Sequence, residues 1–142
     1  MKKTTLFLLT GLLFFACNKS TQPEPCTTSP TSVSGSYKIT AYTYKASPAS
    51  VEMDYFAIIM PEACERDDIY TFNANGTYTR ADRGAVCALS RNDNGTWSLS
   101  GSIMTVDGDQ NLIESFDCKT LVLVNTDTNI AGDRLKFTLV RQ

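Results

Sequence analysis

The sequence contains no histidine, which removes the common general base, the Ser–His and Cys–His nucleophile pairs and a frequent zinc ligand. Its five cysteines include no Cys-x-x-Cys spacing, so a thiolate zinc site competes poorly with disulfides as their use. No run of Lys or Arg interleaves with aromatics, and the formal charge is −2; nucleic acid is therefore not an expected partner. No apolar stretch reaches the roughly 20 residues that a bilayer core requires. No internal repeat is evident. Large apolar residues are almost absent between positions 18 and 34, where Ser, Thr and Pro dominate. Such a stretch cannot bury enough surface to order itself and reads as a tether.

Three features at the start compensate for the missing membrane span. Lys2 and Lys3 are followed by an apolar run from Leu6 to Phe15, and Ala16 stands directly before Cys17. This is the layout of a secretory signal. The order Ala16-Cys17 resembles a lipobox, with the bulky Phe15 as its departure from the pattern. The resemblance implies cleavage before Cys17, a diacylglycerol thioether on its sulfur and an acyl chain on the new amino terminus. Three chains would hold the protein on a membrane. Asn18, not Asp, follows the cysteine, which by the sorting rule of enteric lipoproteins implies the periplasmic face of the outer membrane. The expected organisation is a signal at 1–16, a lipidated flexible tether at 17–34 and one domain at 35–142. The charge becomes about −4 when Lys2 and Lys3 leave.

Assigning Cys17 to lipid leaves Cys26, Cys64, Cys87 and Cys118, an even set in an oxidising compartment. Three pairings are open. Cys64 with Cys87 and Cys26 with Cys118 is favoured, because the first two flank one hairpin and the others lie far apart.

From Gly35 onward, short β-rich runs alternate with turn signals. Eight are expected, at 36–44, 69–73, 77–82, 95–100, 103–107, 112–116, 120–125 and 134–141. Asn73-Ala74-Asn75-Gly76, Asn94-Gly95, Ser100-Gly101 and Asp107-Gly108 supply residues that tolerate the positive φ of tight hairpins. Short connections make neighbouring strands antiparallel, so the fold class is all-β: an eight-stranded up-and-down antiparallel barrel, with a sandwich as the alternative. Alternation turns Tyr70 and Phe72, Trp97 and Leu99, Met104 and Val106, Leu121 and Leu123, and Leu135, Phe137 and Leu139 to the inside.

One long connection, residues 45–68, breaks the rhythm. Met53, Phe56, Ala57 and Met60 fall on one helix face, and Pro61 would end the helix. The helix is expected either to plug one end of the barrel or to act as a lid over a bound apolar molecule. Glu65, Asp67 and Asp68 form an acidic cluster at the next strand start. Adjacent side chains in a strand point to opposite faces, so a shared-proton pair would need a bulge. Solvated carboxylates paired with Arg66 or Arg80 are the expectation; calcium and glycosidase-style acid–base work are the alternatives.

Cys64-x-x-Asp67-Asp68-Ile69-Tyr70-x-Phe72-x-x-Asn75-Gly76-Thr77-Tyr78, then Cys87, then Gly95-Thr96-Trp97-x-Leu99, resembles the lipocalin-like domain lipoproteins of Bacteroidetes over most of 35–142. In lipocalins proper a Gly-x-Trp on the first strand is capped by a late Arg; here Gly35-Ser36-Tyr37 and Arg141 offer a Tyr-for-Trp version.

Two functions compete. In one, the barrel binds a small apolar or amphipathic molecule, with Met53, Phe56, Met60, Tyr70, Phe72, Trp97 and Leu99 as the expected contacts. In the other, a filled barrel docks another envelope protein through the Leu121-Val122-Leu123-Val124 run, whose outer face would need cover. Neither requires a catalytic residue, a metal or a cofactor.

Overall fold

Alternating apolar and polar residues joined by tight turns dictate hairpins, and the chain folds as a continuous series of them. The computed structural model describes residues 25–88 and 92–142. Among these are nine strands: β1 (Gly35–Lys45), β2 (Met53–Asp54), β3 (Ile69–Phe72), β4 (Thr77–Ala81), β5 (Asp93–Ser100), β6 (Ile103–Val106), β7 (Asp109–Phe116), β8 (Thr120–Thr126) and β9 (Arg134–Arg141). From β3 to β9 each strand pairs with the next, β3 pairs with β1, and β9 returns to β1, closing the ring. The barrel is therefore formed by β1 and β3 to β9, as the turn spacing predicts, and the sandwich is set aside.

The ninth strand was not expected. β2 lies along the second half of β1, with Thr43 opposite Asp54 and Tyr44 opposite Met53. Glu52, just before it, bonds the Thr43 hydroxyl and the Lys136 ammonium, the latter at 3.0 Å. This pairing corrects the helix expected from Met53 to Met60. Met53 belongs to a strand and is exposed, and helix α2 spans only Phe56–Ile59. A single-turn 3₁₀ helix, Ala63–Asp67, follows. β3 pairs only with residues 35 to 37 of β1, so the two strands part above that level. Phe56 and Met60 pack against the core beside β1. The 45–68 connection is thus a side panel of the barrel wall, not an end lid.

Two bulges set which residues face inward. The register of β1 against β9 shifts between Ile39 and Ala41. The extra residue, Thr40, resets the alternation, so that Tyr37 and Ile39 point inward before it and Tyr42 after it. In β7 the shift against β8 falls between Ile113 and Ser115. β7 also begins earlier than its apolar run suggests. Asp107 and Gly108, at φ 50° and 95°, form a two-residue turn, and positive φ at both positions matches the twist of the flanking strands.

The end of the barrel where β1 begins is plugged. Helix α1 (Pro30–Val33) is started by Ser29, whose hydroxyl accepts from the Ser32 amide, and by Pro30 in the first turn. Val33 is completely buried, as are Tyr37, Met104 and Leu121 beside it in the closed half. Arg141 donates to the Ser32 carbonyl at 2.5 Å and the Tyr37 hydroxyl at 2.7 Å, while Tyr37 donates to the Val33 carbonyl at 2.8 Å. Gly35 has φ +148°, and a Cβ there would lie 2.8 Å from the Arg141 guanidinium. The Tyr-for-Trp closure is therefore built, with glycine supplying the space for the arginine.

The structure pairs Cys26 with Cys118 and Cys64 with Cys87. The first bond fastens the chain before α1 to the β7–β8 turn at the closed end. The far part of the expected 17–34 tether is accordingly part of the folded body: a buried valine and a disulfide supply the ordering that its composition lacks. Residues 1–24, with the signal and the Cys17 lipidation site, lie outside the described residues. Among the described residues no helix is long and apolar enough to cross a membrane.

Candidate ligand-binding cavity

The closed half of the barrel is packed, but the other half is hollow. A cavity of about 320 Å³ opens at the end away from α1, within the size range of small-molecule sites. Its floor is Ile39, Phe72, Leu123 and Leu139, set by the same inward alternation that fills the closed half. Its walls are aromatic: Tyr42 on β1, Tyr70 on β3, Tyr78 on β4 and Phe137 on β9. Tyr42 reaches the interior because of the bulge at Thr40, and it packs on Phe137 with ring centroids 5.7 Å apart. Val106, Asp107, Asp109, Asn111 and Asn125 complete the lining toward the mouth.

The polar groups here are held by specific bonds. Tyr78 donates its hydroxyl to Asp107 Oδ2 at 2.7 Å, and the Thr96 amide donates to Asp107 Oδ1 at 2.9 Å. Gly95 makes room for this: a Cβ on Gly95 would collide with the Asp107 carboxylate. The Thr96 amide and then the Tyr78 hydroxyl hold the Asp107 carboxyl below its ordinary range. Burial, reinforced by the Asp107 hydrogen bond, pushes the Tyr78 phenol up to about 12. Burial, with Tyr70 adding to it, drives the Tyr42 phenol higher still, so both are neutral at physiological pH. Asn111, almost fully buried, donates its amide to the carbonyls of Asp109 at 3.1 Å and Met104 at 3.5 Å.

Of the residues proposed from sequence as ligand contacts, Tyr70 and Phe72 line this hollow. Phe56 stands one layer back, stacked on Tyr42 at 6.2 Å and covered by Arg66 at 5.6 Å. Met60 is buried in the core. Trp97 is buried too, in the closed half, with its indole N–H on the Asn73 carbonyl at 2.8 Å and its ring edge-on to Phe72 at 5.6 Å. Trp97 and Leu99 border a shallow groove beside Pro30. Met53, 49 % exposed on β2, is outside altogether. Met53, Met60, Trp97 and Leu99 thus do not line the cavity, because the panel covers the side of the barrel and the indole serves the plug. Sequence reasoning missed Tyr42, displaced by a bulge, Tyr78, and the polar residues at 107, 109, 111 and 125. Extending the inward alternation back from Ile113 through Asn111 to Asp109 would have found two of them.

The acidic cluster is also rearranged. Asp67 lies in the 3₁₀ helix and Asp68 just after it, so the opposite-face rule for strands does not apply. Carboxylate oxygens of Asp67, Asp68 and Asp82 lie within 4.8 Å of one another. Asp68 is buried and bonded by Arg80 at 2.5 Å, while Asp67 and Asp82 accept from the amides of Ala85 and Cys87. Burial pushes the Asp68 carboxyl up, with the Arg80 bond opposing. These contacts fasten the loop held by Cys64–Cys87 to the barrel, with Arg80 paired to Asp68, while one oxygen of each of Asp67, Asp68 and Asp82 is buried without a hydrogen-bond partner. Arg80 also stacks over Tyr70 at 5.5 Å.

A second, larger cleft of about 480 Å³ lies outside the barrel, between Lys45, Pro48, Asp127 and Arg134. Its wall is organised by Asp133, which is buried and accepts from the amides of Thr128, Asn129 and Ile130 and from the Tyr44 hydroxyl. Burial alone would raise the Asp133 carboxyl, but these donors outweigh it and hold it far below its usual range. Each oxygen is occupied by the loop's own groups, so the cleft is the outside of a braced turn.

No curated protein matches the sequence at a significant level. A family model described as a lipocalin-like domain matches residues 33–137, a span that starts at the buried valine of the plug and ends on the strand that closes the ring, and the chain belongs to the lipocalin-like domain family.

Proposed function

We propose that this protein is a membrane-anchored binding module of the cell envelope, without catalytic activity, which takes a small amphipathic molecule into the open half of its barrel. The observation that carries the reading is the aromatic hollow itself. Tyr42, Tyr70, Tyr78 and Phe137 present apolar faces to an opening of about 320 Å³, room for about ten waters. Their release would favour an apolar occupant. The anchor is Cys17, cleaved and acylated as its context implies, with the domain at the periplasmic face of the outer membrane.

The docking alternative rested on Val122 and Val124 needing outside cover. Val124 is buried within the monomer and Val122 half-buried, which weakens its motive.

Native mass spectrometry and fluorescent fatty-acid and alkyl-amine probes on residues 18–142, which retain every described residue, test the binding role. Saturable uptake with one molecule per chain is the expected result. A chain that takes up none of them is not a carrier. For the anchor, intact mass of the membrane-extracted protein should show a chain beginning at Cys17 with added acyl mass; the same start without that mass defeats it.

A further inference from the structure

We infer that the cavity selects cationic amphiphiles, molecules with a small apolar body and an ammonium-type head, over carboxylates of the same length. This deepens the binding role proposed above and rests on it.

The cavity's polar lining is rich in acceptors and poor in donors. Among the described residues its two charged groups, Asp107 and Asp109, are both carboxylates, and no Lys or Arg lines it. Asp109 is exposed at the mouth, and its carboxylate makes no hydrogen bond or ion pair with the described residues. Asn111 directs its amide hydrogens at the Asp109 and Met104 carbonyls, which leaves its carbonyl oxygen as the atom available to a guest. The Tyr78 proton is committed to Asp107. Asn125 can serve as either partner, and Tyr42 retains a hydroxyl. Arg80, whose guanidinium stacks over the lining residue Tyr70 at 5.5 Å, is held by Asp68 through Nε at 2.7 Å and Nη2 at 2.5 Å.

A carboxylate entering here would sit beside two like charges, with Arg80 already paired to Asp68, and would lose its hydration without replacement. An ammonium head would meet Asp107, Asp109 and the Asn111 oxygen at the mouth. The ring faces of Tyr42, Tyr78 and Phe137 below add the attraction of aromatic quadrupoles for cations. The net formal charge of −2 favours the approach of cations in the same sense.

The test compares octyltrimethylammonium, octanol and octanoate by calorimetry on residues 18–142 at low salt. The expected order is ammonium, then alcohol, then carboxylate, with at least about fivefold between the first two. Asp109→Asn, at an exposed side chain, should cut the preference for the ammonium over octanol by about threefold. Octanoate binding as tightly as the ammonium, or a preference indifferent to Asp109→Asn, overturns the selectivity while leaving a binding cavity. Failure of all three ligands to bind overturns the cavity reading and the selectivity with it.

Discussion

Arg141 lies over the ring of Tyr37, its guanidinium carbon 5.1 Å from the ring centroid, and donates to that tyrosine's hydroxyl. The last strand and the first are locked together through one side-chain pair, and α1 is gripped by the same pair through Ser32 and Val33. Arg141→Ala removes two charge-assisted hydrogen bonds and a cation–π contact. It should cost about 2–4 kcal/mol in urea unfolding. Tyr37→Phe keeps the ring under the guanidinium and should cost about 1–2 kcal/mol. Equal losses for the two variants would contradict this order.

Removing Cys26–Cys118 opens a loop of 92 residues, against 23 for Cys64–Cys87. In the chain-entropy account the longer loop matters more, so Cys26→Ser with Cys118→Ser should lower stability by about 3–5 kcal/mol and the other pair by about 2–3. The reverse order in denaturant titrations would mean that the acidic brace between 67 and 87 depends on its disulfide more than the plug does.

The depressed carboxyl of Asp133 fixes the sign of one pH effect. Its folded form holds the proton more weakly than the unfolded chain does, so the stabilisation it gives is present above about pH 4 and declines as pH falls below that value. Asp133→Asn should be less stable than the parent at pH 7, with the gap narrowing between about pH 4 and pH 2. A gap that stays constant with pH would contradict the depressed value.

Val106 stands at the cavity lining near the mouth, half-buried. Val106→Trp should fill the opening and abolish probe uptake at a stability cost below about 3 kcal/mol. Undiminished uptake would place the probe elsewhere.

Strands were the most legible part of this protein. Apolar residues at alternate positions and Asn-Gly or Asp-Gly at the turns report directly on a half-buried antiparallel meander. Local shifts were not legible. The extra residue at Thr40 depends on how β1 must bend to meet β9, a long-range condition with no local sign. The spacing of Met53, Phe56 and Met60 is helical, yet Met53 pairs with Tyr44 across β1, and sheet hydrogen bonds override the pattern. The candidate site was half visible: Tyr70 and Phe72 stand out as inward aromatics, whereas Asp109, Asn111 and Asn125 do not, because a search for buried apolar residues passes over inward polar ones.

The plug also sets a direction. Cys26 is bonded to the turn at the closed end, so the described chain begins there, on the side opposite the mouth. With lipid on Cys17, as proposed, the stretch from Cys17 to Cys26 can reach at most about 30 Å, and the closed end becomes the face nearest the bilayer. The opening then points away from the membrane, so the barrel samples the aqueous space above the lipid rather than molecules drawn from the leaflet beneath it.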